Sequence, residues 1–473
     1  MRYATFLSAL PVVPVGVALA TAGISGNRTR DIAIIGGGAS GTYVAIRLQE
    51  MGHTVALVEK QAQLGGHVNT FHDTTTSNVF DFGVMQYQNV SVVSEFFASL
   101  DIPLASLSGS KTSRVYANFQ TDGKVVEVPS TVPWANQTAL QLALQKYMKI
   151  VAQYSYLDNG FELPDPVPED LLLPWGDFLD KYELGAISDM SFNYMQGLGN
   201  ILAQRTLYVM KYFSLSLVKQ FVGAGSGVVA VPATSGGNQV LYDAAVGKLG
   251  KAAYLSSTVS RIRRTDCGVS VSISTPNGTE MIRARKLLIA IPPTLSNLRS
   301  LGLDLDDHEK TLFGQFNNSY TSVAVLNVSG LPPSTLFSNV DLDAPYAIPV
   351  QPASYTFRTV AENPSLSTVY FGSSEYLSDE GIKDIILEEL SRIMTGNGYN
   401  ISGTPTFAAF ENHSPYQLTV SNEAIKDRFY DEVNALQGQS NTWWTGAAWT
   451  SQDSTAIWNW TENTLLPKIV PSL

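Results

Sequence analysis

Cysteine is almost absent from this sequence. The 473 residues include one, Cys267, so no intramolecular disulfide can form. Cys267 lies between two strand-like runs, and we interpret it as a bystander. A chain of this length without disulfides depends on large buried cores for its stability.

Positive charge and long apolar runs are also scarce. Lys and Arg number 30 against 41 Asp and Glu, a formal net charge of −11, which makes nucleic acid an unsuitable partner. Beyond the N-terminal segment, no apolar stretch is long enough to cross a bilayer. Hydrophobic residues make up 44% of the chain and charged residues 15%. These proportions are those of an ordinary globular protein, and the length predicts two or three domains.

The N-terminal segment has the pattern of an export signal. One arginine precedes a short apolar stretch that ends near Ala20-Thr21-Ala22, a cleavage site of the A-x-A type. We predict a signal peptide over residues 1–22 and a secreted or secretory-pathway protein. An uncleaved anchor is the alternative; two prolines and the short apolar length argue against it.

Potential N-glycosylation sites support the same route. Chance supplies some N-x-S/T triplets in a chain rich in Asn and Thr, so their spread counts for more than any single site. The triplets begin at Asn27, Asn89, Asn136, Asn277, Asn317, Asn327, Asn400, Asn412 and Asn459.

A glycine motif follows the first strong strand pattern. The apolar run 32–35 predicts a buried parallel strand, and the chain then reads G-x-G-x-x-G through Gly36, Gly38 and Gly41 before a helical pattern. Gly36 permits a tight turn, Gly38 lets the backbone approach a pyrophosphate, and Gly41 lets the helix lie close to the strand. The helix N-terminus then points its free amides at the phosphates.

An acidic residue completes this pattern. A second apolar strand, 54–58, delivers Glu59 about 20 residues after the glycines, where a carboxylate accepts hydrogen bonds from ribose hydroxyls. Glu59 therefore disfavours a 2′-phosphate. A bare glycine motif also occurs in ordinary turns, but strand, helix, second strand and acid fall here in order. We predict a bound dinucleotide and assign Ser40 and Lys60 to the same site.

A second glycine pair indicates which dinucleotide is bound. Gly65 and Gly66 directly follow the acid-bearing strand, and this pair resembles the GG motif of FAD-dependent amine oxidases, which implies FAD. His67 stands where those enzymes usually have arginine. Two interpretations remain open: His67 makes a polar contact to FAD, or its imidazole is the site of covalent attachment to the flavin.

The remaining strand and helix patterns predict a discontinuous FAD domain. A strand over 252–264 is followed by a hairpin whose strands, 269–274 and 279–285, flank Pro276-Asn277-Gly278, and then by a buried strand over 286–291. FAD-binding segments are predicted at 31–90, 231–295 and 408–473. A substrate domain is predicted to have a helical part at 91–230 and a sheet at 296–407. The aromatic-rich stretch 175–222 favours a helical core, part of which we expect to line an apolar substrate cavity.

The whole mature chain resembles the flavin-containing amine oxidase superfamily, nearest to the branch with beta-cyclopiazonate dehydrogenase and polyunsaturated fatty acid isomerase. The resemblance implies an α/β fold of amine oxidase type, with a Rossmann-like FAD-binding domain and an α+β substrate domain. The segments that carry it are IIGGGASGTYVAIRL, VEKQAQLGGHVNT, DFGVMQYQN, ENHSPY and NTWWTGAAW with the terminal helix.

The resemblance also assigns residues to the flavin. Trp443 would form one wall of an aromatic slot facing the isoalloxazine, with Gly446 closing its strand. Val259 would meet the adenine, and Ala456 and Ile457 would lie by the pyrimidine ring. We expect amides at the start of that terminal helix to hold the flavin C2 carbonyl, because a helix N-terminus stabilises an anionic reduced flavin.

Several departures from the family pattern place amine oxidation in question. No cysteine exists near 410–425, which excludes the thioether linkage of monoamine oxidases. Ala447 replaces a common acidic residue that contacts the ribityl chain. Tyr320-Thr321-Ser322 occupies the strand that often carries a lysine near flavin N5.

Few side chains remain as candidates for catalysis. His413 suits a general acid or base by its pKa range; the alternative is a solvent-facing histidine beside a glycan on Asn412. Tyr416 and Trp443 are assigned to shaping the slot. We expect hydride transfer from a small organic substrate to FAD and then to oxygen or another acceptor, with no metal. A nitrogen-containing secondary metabolite undergoing dehydrogenation or oxidative cyclisation is one substrate class. A redox-neutral double-bond isomerase and a flavin-fold binding protein without turnover are the alternatives.

Overall fold

The structure is a computed structural model that describes residues 28–106, 112–223, 230–233, 235–400 and 402–473. The predicted signal peptide and the potential glycosylation site at Asn27 lie outside the described residues. Within the described ranges, no helix combines the length and the hydropathy needed to span a bilayer.

Two seven-stranded sheets organise the chain. The strands are β1 (Arg28–Ile35), β2 (Val55–Val58), β3 (Thr70–His72), β4 (Val79–Asp81), β5 (Leu104–Ser106), β6 (Ser113–Ala117), β7 (Val125–Val126), β8 (Ala230–Pro232), β9 (Ala253–Tyr254), β10 (Thr258–Thr265), β11 (Gly268–Thr275), β12 (Gly278–Ile289), β13 (Asn317–Asn318), β14 (Tyr320–Asn327), β15 (Thr335–Asn339), β16 (Ala353–Thr359), β17 (Leu366–Ser373), β18 (Thr406–Asn412), β19 (Leu418–Thr419) and β20 (Thr442–Trp444).

Helices cover the first sheet and fill the space between the two sheets. The α-helices are α1 (Ala39–Glu50), α2 (Ser91–Ser99), α3 (Gln137–Val151), α4 (Glu169–Leu172), α5 (Trp175–Lys181), α6 (Ser188–Tyr194), α7 (Thr206–Tyr212), α8 (Leu215–Phe221), α9 (Gln239–Leu249), α10 (Leu295–Ser300), α11 (Asp307–Phe313), α12 (Asp379–Gly396), α13 (Asn422–Lys426), α14 (Phe429–Ala435), α15 (Ser454–Trp460) and α16 (Leu466–Ile469). A π-helical segment, Thr461–Leu465, joins the last two.

The first sheet draws its strands from three separated parts of the chain. Its order is β10-β11-β12-β1-β2-β9, and β20 also pairs with β12. β1 pairs in parallel with β2 and β12, and all four residues of β2 are buried. The part of the sheet formed by β12, β1, β2, β9 and β20 is parallel, whereas β10, β11 and β12 pair antiparallel. The parallel part, its buried strands and the glycine turn after β1 confirm the predicted α/β fold with a Rossmann-like unit.

Two predicted strand boundaries in this sheet are wrong. The strand predicted over 252–264 is divided into β9 and β10, because Ser256 takes a positive φ of 47°. There the amides of Ser256 and Ser257 turn away to donate to the carbonyls of Gln61 and Glu59, at 2.8 and 2.9 Å. The hairpin strand and the buried strand predicted on either side of residue 286 are instead one strand, β12. Its first half pairs with β11 and its second half with β20, while β1 pairs along most of its other edge.

The second sheet forms the wall of the other part of the molecule. Its order is β18-β14-β17-β16-β15-β6-β7, so it takes β6 and β7 from the segment predicted as helical. β18 runs to Asn412 and crosses the predicted boundary at residue 407. The packed face of the sheet meets α12 through a separate hydrophobic core.

The aromatic-rich stretch forms α5 to α8. Trp175, Tyr208 and Phe213 of this stretch are fully buried and belong to the main core. Tyr194 and Tyr212 keep partly accessible side chains. The stretch therefore contains both core residues and residues that face a space inside the molecule.

Candidate active site

The first glycine motif forms a tight turn at the end of β1. Gly36 has a φ of +104°, and a Cβ there would lie 2.7 Å from the side chain of Ile291. A Cβ on Gly41 would lie 1.9 Å from the carbonyl oxygen of Gly36. The turn and the approach of α1 to it thus require glycine at both positions.

The two glycine motifs meet side by side. The Gly65 amide donates to the carbonyl of Gly37 at 2.9 Å, and Gly38 forms a bridge with Gly65. A Cβ on Gly38 would have the Cα of Gly66 as its nearest neighbour, at 3.7 Å. The backbone is therefore open at Gly38, and a ligand can approach it closely.

Helix α1 begins at this open backbone. Gly38 is its N-cap and provides no side-chain hydrogen bond to the first amides. Those amides and the positive end of the helix dipole suit a phosphate group. Ser40, which is 6% exposed, lies in this first turn.

Glu59 follows β2 and faces the same turn. Its Oε2 accepts from the Gly37 amide at 2.7 Å and its Oε1 from the Gln61 amide at 2.8 Å. Each carboxylate oxygen retains capacity for a further hydrogen bond, as a ribose diol requires. Lys60 is exposed, and Val259 lies on β10, just past the turn that bonds to the backbone of Glu59.

The strand end at Gly446 lies on the other side of the two glycine motifs. We call the site formed by these two motifs, Glu59 and Gly446 the cradle. The Thr445 amide donates to the carbonyl of Ile289 at 3.0 Å, and a Cβ on Gly446 would lie 3.6 Å from the Ser40 hydroxyl. Among the described residues, the buried Thr445 hydroxyl has no hydrogen-bond partner. An orphaned hydroxyl beside two glycine motifs fits a polar cofactor chain such as that of FAD.

Two backbone amides near the start of the terminal helix already have partners. The Ala456 amide donates to Asp453 Oδ1 at 3.0 Å, and the Ile457 amide to the Asp453 carbonyl at 3.0 Å. Asp453 is the N-cap of α15. Because both amides are satisfied within the helix cap, a contact from this helix to the flavin C2 carbonyl would fall to the preceding amides, and the placement of Ala456 and Ile457 by the pyrimidine ring stays a prediction.

A histidine pair connects the second glycine motif to β18. The ring of His67 stacks on that of His413, with centroids 4.4 Å apart and planes at 16°. The Tyr416 ring lies on the same group, 5.5 Å from His67. Three residues assigned separately from sequence are thus brought together.

His413 is partly buried and lies within hydrogen-bond distance of Asn69. Its Nε2 lies 2.6 Å from Oδ1 of Asn69, and with that oxygen as acceptor the imidazole carries its proton on Nε2 and leaves Nδ1 unprotonated. Burial, together with His67, holds the pKa of His413 well below its usual value. Burial also lowers the pKa of His67 to about 4. The stacked and hydrogen-bonded ring of His413 favours the general acid or base over the solvent-facing alternative, although Asn412 is exposed.

Tyrosines continue the cluster away from the histidines. Burial raises the pKa of Tyr194 to about 12 and the pKa values of Tyr212 and Tyr416 well above their usual range, and Asp453 adds to each shift. All three side chains nevertheless keep accessible surface. Side chains that are buried from bulk solvent and still keep accessible surface face a space inside the molecule, and from these tyrosines we infer a cavity that begins at the histidine pair.

Trp443 lies elsewhere. It is 6% exposed, and its ring packs over Gly438, where a Cβ would be 3.1 Å away. With Trp460 it lines a shallow depression on the side of Asn434. The described ring contacts include none from Trp443 to the histidines or Tyr416, so the structure does not bring this residue into the cluster.

Three polar residues of the site were missed from the sequence. Asn69 lies within hydrogen-bond distance of His413, Asp453 adds to the raised pKa values of the three tyrosines, and Gln88 donates to Asp453 Oδ2 at 3.0 Å. Asp453 had a usable signal, since an aspartate directly before a helical pattern is a strong N-cap. No three-residue cluster suited to a metal occurs among the described residues.

Comparisons with known proteins agree with this geometry. The sequence profile of the family described as flavin containing amine oxidoreductase matches residues 39–452. The FAD-dependent oxidoreductase oblC of Cochliobolus heterostrophus is 35% identical over 456 residues, covering 94% of this chain and 92% of that protein. Beta-cyclopiazonate dehydrogenase of Aspergillus oryzae is 32% identical over 443 residues, covering 92% of each.

A solved structure shows the same fold. The CLA-producing fatty acid isomerase from P. acnes superposes with a TM-score of 0.73, covering 93% of this chain and 98% of that one. Sequence identity to it is 21%, so this likeness concerns the architecture. The glycine cradle, the orphaned hydroxyl and the relatives together identify FAD as the group that the cradle holds.

Proposed function

Since the chain belongs to the flavin-containing amine oxidoreductase family and is a FAD-dependent oxidoreductase, we propose that it dehydrogenates a small apolar, nitrogen-containing secondary metabolite. The observation that carries this proposal is the stack of His67, His413 and Tyr416, which places a hydrogen-bonding cavity wall directly against the second glycine motif. An oxidative cyclisation is a variant of the same reaction.

The protein contributes binding and orientation. Bound FAD supplies the two-electron acceptor for a substrate hydride, and oxygen or another acceptor takes the electrons afterwards. The first glycine turn and the start of α1 would hold the pyrophosphate, Glu59 would hold the ribose, and Thr445 would hold a polar group of the remaining chain. These contacts fix where the substrate must lie, because the cavity opens from the same place as the cradle.

His413 is the proton acceptor in this proposal. Dehydrogenation removes a hydride from carbon and a proton from the neighbouring nitrogen, oxygen or carbon, and leaves a new double bond. The depressed pKa keeps the imidazole neutral at physiological pH, which leaves the unprotonated Nδ1 available to that proton. Asn69 holds the ring in this tautomer through Nε2.

The cavity walls favour an apolar substrate with few polar groups. Tyr194, Tyr212 and Tyr416 present aromatic faces and single hydroxyls, and aromatic walls with a few placed polar atoms are typical of small-molecule sites.

Substrate-dependent reduction tests the proposal. Beta-cyclopiazonate, the compound in the name of one relative, and a panel of indole-containing amines are added to the holoenzyme without oxygen. We expect bleaching of the flavin by at least one compound and a product lighter by two hydrogens. A product of unchanged mass from linoleate, with no peroxide released in air, would instead establish the isomerase. If no compound bleaches the flavin or is turned over, the result would support the alternative of a flavin-fold binding protein without turnover.

Export is a second proposal, carried by the described sequons. Asn136, Asn277, Asn317, Asn327, Asn400 and Asn412 are exposed, as enzymatic glycosylation requires. Expression in a fungal host should give a secreted product whose mass falls on treatment with an N-glycosidase and whose N-terminus follows Ala22. An unglycosylated intracellular product that retains Met1 would contradict this.

A further inference from the structure

Asp453 is more firmly held than a helix cap requires. Its Oδ1 accepts from the Ala456 amide at 3.0 Å and its Oδ2 from Gln88 Nε2 at 3.0 Å. The side-chain oxygen of Gln88, Oε1, in turn accepts from Ser216 Oγ at 2.9 Å and from Gln220 Nε2 at 3.0 Å. The carboxylate is therefore fixed in orientation from two helices, α15 and α8.

The tyrosine cluster is arranged around this carboxylate. Gln452, the preceding residue, donates to the Tyr416 carbonyl at 2.6 Å. Gln86, two residues before the glutamine that holds Asp453, donates to the Tyr194 hydroxyl at 2.5 Å. The Tyr416 ring packs over Gly197, where a Cβ would be 2.5 Å away. The same short segments thus position both the carboxylate and the rings that line the cavity.

Asp453 brings a partly accessible carboxylate to this part of the site. It adds to the effect of burial in raising the pKa values of Tyr194, Tyr212 and Tyr416. In the described parts of the chain, no ion pair joins Asp453 to a lysine, an arginine or a histidine. Each carboxylate oxygen accepts one hydrogen bond from the protein and has capacity for another.

We propose that Asp453 selects the charge of the substrate: it accepts a hydrogen bond from a substrate N–H or O–H, binds a cationic group most strongly and excludes carboxylates. This inference rests on the proposed function, in which a small molecule occupies the cavity beside FAD. An ionic hydrogen bond in a desolvated cavity is stronger than a neutral one, and like charges are disfavoured there. Aromatic faces nearby add to the attraction for a cation.

The selection has a consequence for the reaction type. A fatty acid whose carboxylate pointed at Asp453 would place two anions together. The proposal therefore favours dehydrogenation of a nitrogen-containing compound over isomerisation of a fatty acid anchored at this end of the cavity.

Three indole compounds of similar shape and different charge test whether Asp453 selects the charge of the substrate. Tryptamine is cationic, tryptophol is neutral with an O–H donor, and indole-3-propionate is anionic. Their binding to the FAD-loaded protein is measured by calorimetry and by the flavin difference spectrum. We expect the wild type to bind tryptamine at least about 10-fold more tightly than tryptophol. This ratio of dissociation constants is what one charge-assisted hydrogen bond adds over a neutral one. Binding of indole-3-propionate should be weaker still.

Asp453→Asn isolates the charge, because asparagine is also a good N-cap. We expect it to lose the preference for tryptamine and to bind indole-3-propionate at least as well as tryptophol. Asp306→Asn is the matched control: Asp306 caps α11 through the Glu309 amide, outside the cavity, and the variant should retain the wild-type order. An unchanged order in Asp453→Asn, or a wild type that prefers the anion, would overturn the proposal.

Failure of this inference can be distinguished from failure of the proposed function. Calorimetric binding requires no turnover, whereas flavin bleaching requires hydride transfer. Charge selection that disappears in Asp453→Asn supports the inference even where no probe is oxidised. Flavin bleaching with no charge selection supports the proposed function alone.

Discussion

The ring of His67 lies parallel to that of His413, with centroids 4.4 Å apart, and so joins the cofactor cradle to the wall of the substrate cavity. His67 belongs to the segment after the second glycine pair, and His413 directly follows β18. The contact is the point at which the FAD-binding sheet and the second sheet converge on one cluster. The proposed reaction requires this contact, because it places the proton acceptor His413 beside the FAD site.

Replacement of His413 should reduce turnover. His413→Gln removes the unprotonated imidazole nitrogen, and we expect kcat to fall by about 10²–10⁴-fold, the usual contribution of a general base. Flavin content should remain that of the wild type. His308→Gln is the control, since His308 is half-exposed on α11, and it should retain full activity. Equal kcat values for the two variants would exclude His413 as the base.

The histidine pair predicts a loss of stability in acid. Both imidazoles have folded pKa values below their unfolded values, so the unfolded chain takes up protons that the folded chain does not. The free energy of unfolding is therefore highest above pH 6.5 and falls as the pH drops toward about 4, the pKa of His67. His67 contributes at most about 3 kcal/mol to this loss.

Urea unfolding at several pH values with saturating FAD measures the effect. The double variant His67→Gln, His413→Gln should show a smaller loss between neutral pH and pH 4 than the wild type. Parallel curves for the two proteins would show that other groups cause the acid sensitivity.

Alanine substitutions at two glycines of the cradle should have different effects, one on folding and the other on FAD binding. Gly41→Ala places a Cβ 1.9 Å from a backbone oxygen and should prevent folding or lower stability by several kcal/mol, about the cost of severe overpacking. Gly38→Ala meets its nearest atom at 3.7 Å, so the variant should fold but lose FAD, because the methyl group occupies the place of the pyrophosphate.

Gly247→Ala is the control for both. A Cβ at this position in α9 meets nothing within 4 Å, and the variant should fold and bind FAD normally. Circular dichroism and the flavin-to-protein absorbance ratio report folding and loading separately. A Gly38→Ala protein with full flavin content would place the pyrophosphate elsewhere.

His67 should influence retention of the flavin. We expect His67→Ala to lose flavin during gel filtration, since the residue directly follows the second glycine pair. Acid precipitation of the wild type separates the two interpretations of His67. Flavin released into the supernatant indicates a contact, and colour kept in the pellet indicates covalent attachment. Full flavin retention in His67→Ala would contradict both.

Local patterns predicted the cradle well. The glycines, Glu59 and the strands around them lie within about 20 residues of one another, a spacing that chain geometry fixes. The site beyond the cradle depends on distant partners: His413 meets Asn69, 344 residues away, and Asp453 meets Gln88, 365 residues away. No local pattern encodes such contacts. Resemblance to a family placed Trp443 at the flavin. Its ring packs over Gly438 and is not part of the histidine and tyrosine cluster, so a place for it at the flavin stays a prediction.

The absorption spectrum of the purified protein tests the central claim most directly, because every step proposed here requires FAD in the cradle between Gly38 and Gly66. We predict a flavin spectrum with one FAD per chain, present on isolation or restored by added FAD, and absent from Gly38→Ala. A colourless wild-type protein that cannot be reconstituted with FAD would contradict the account.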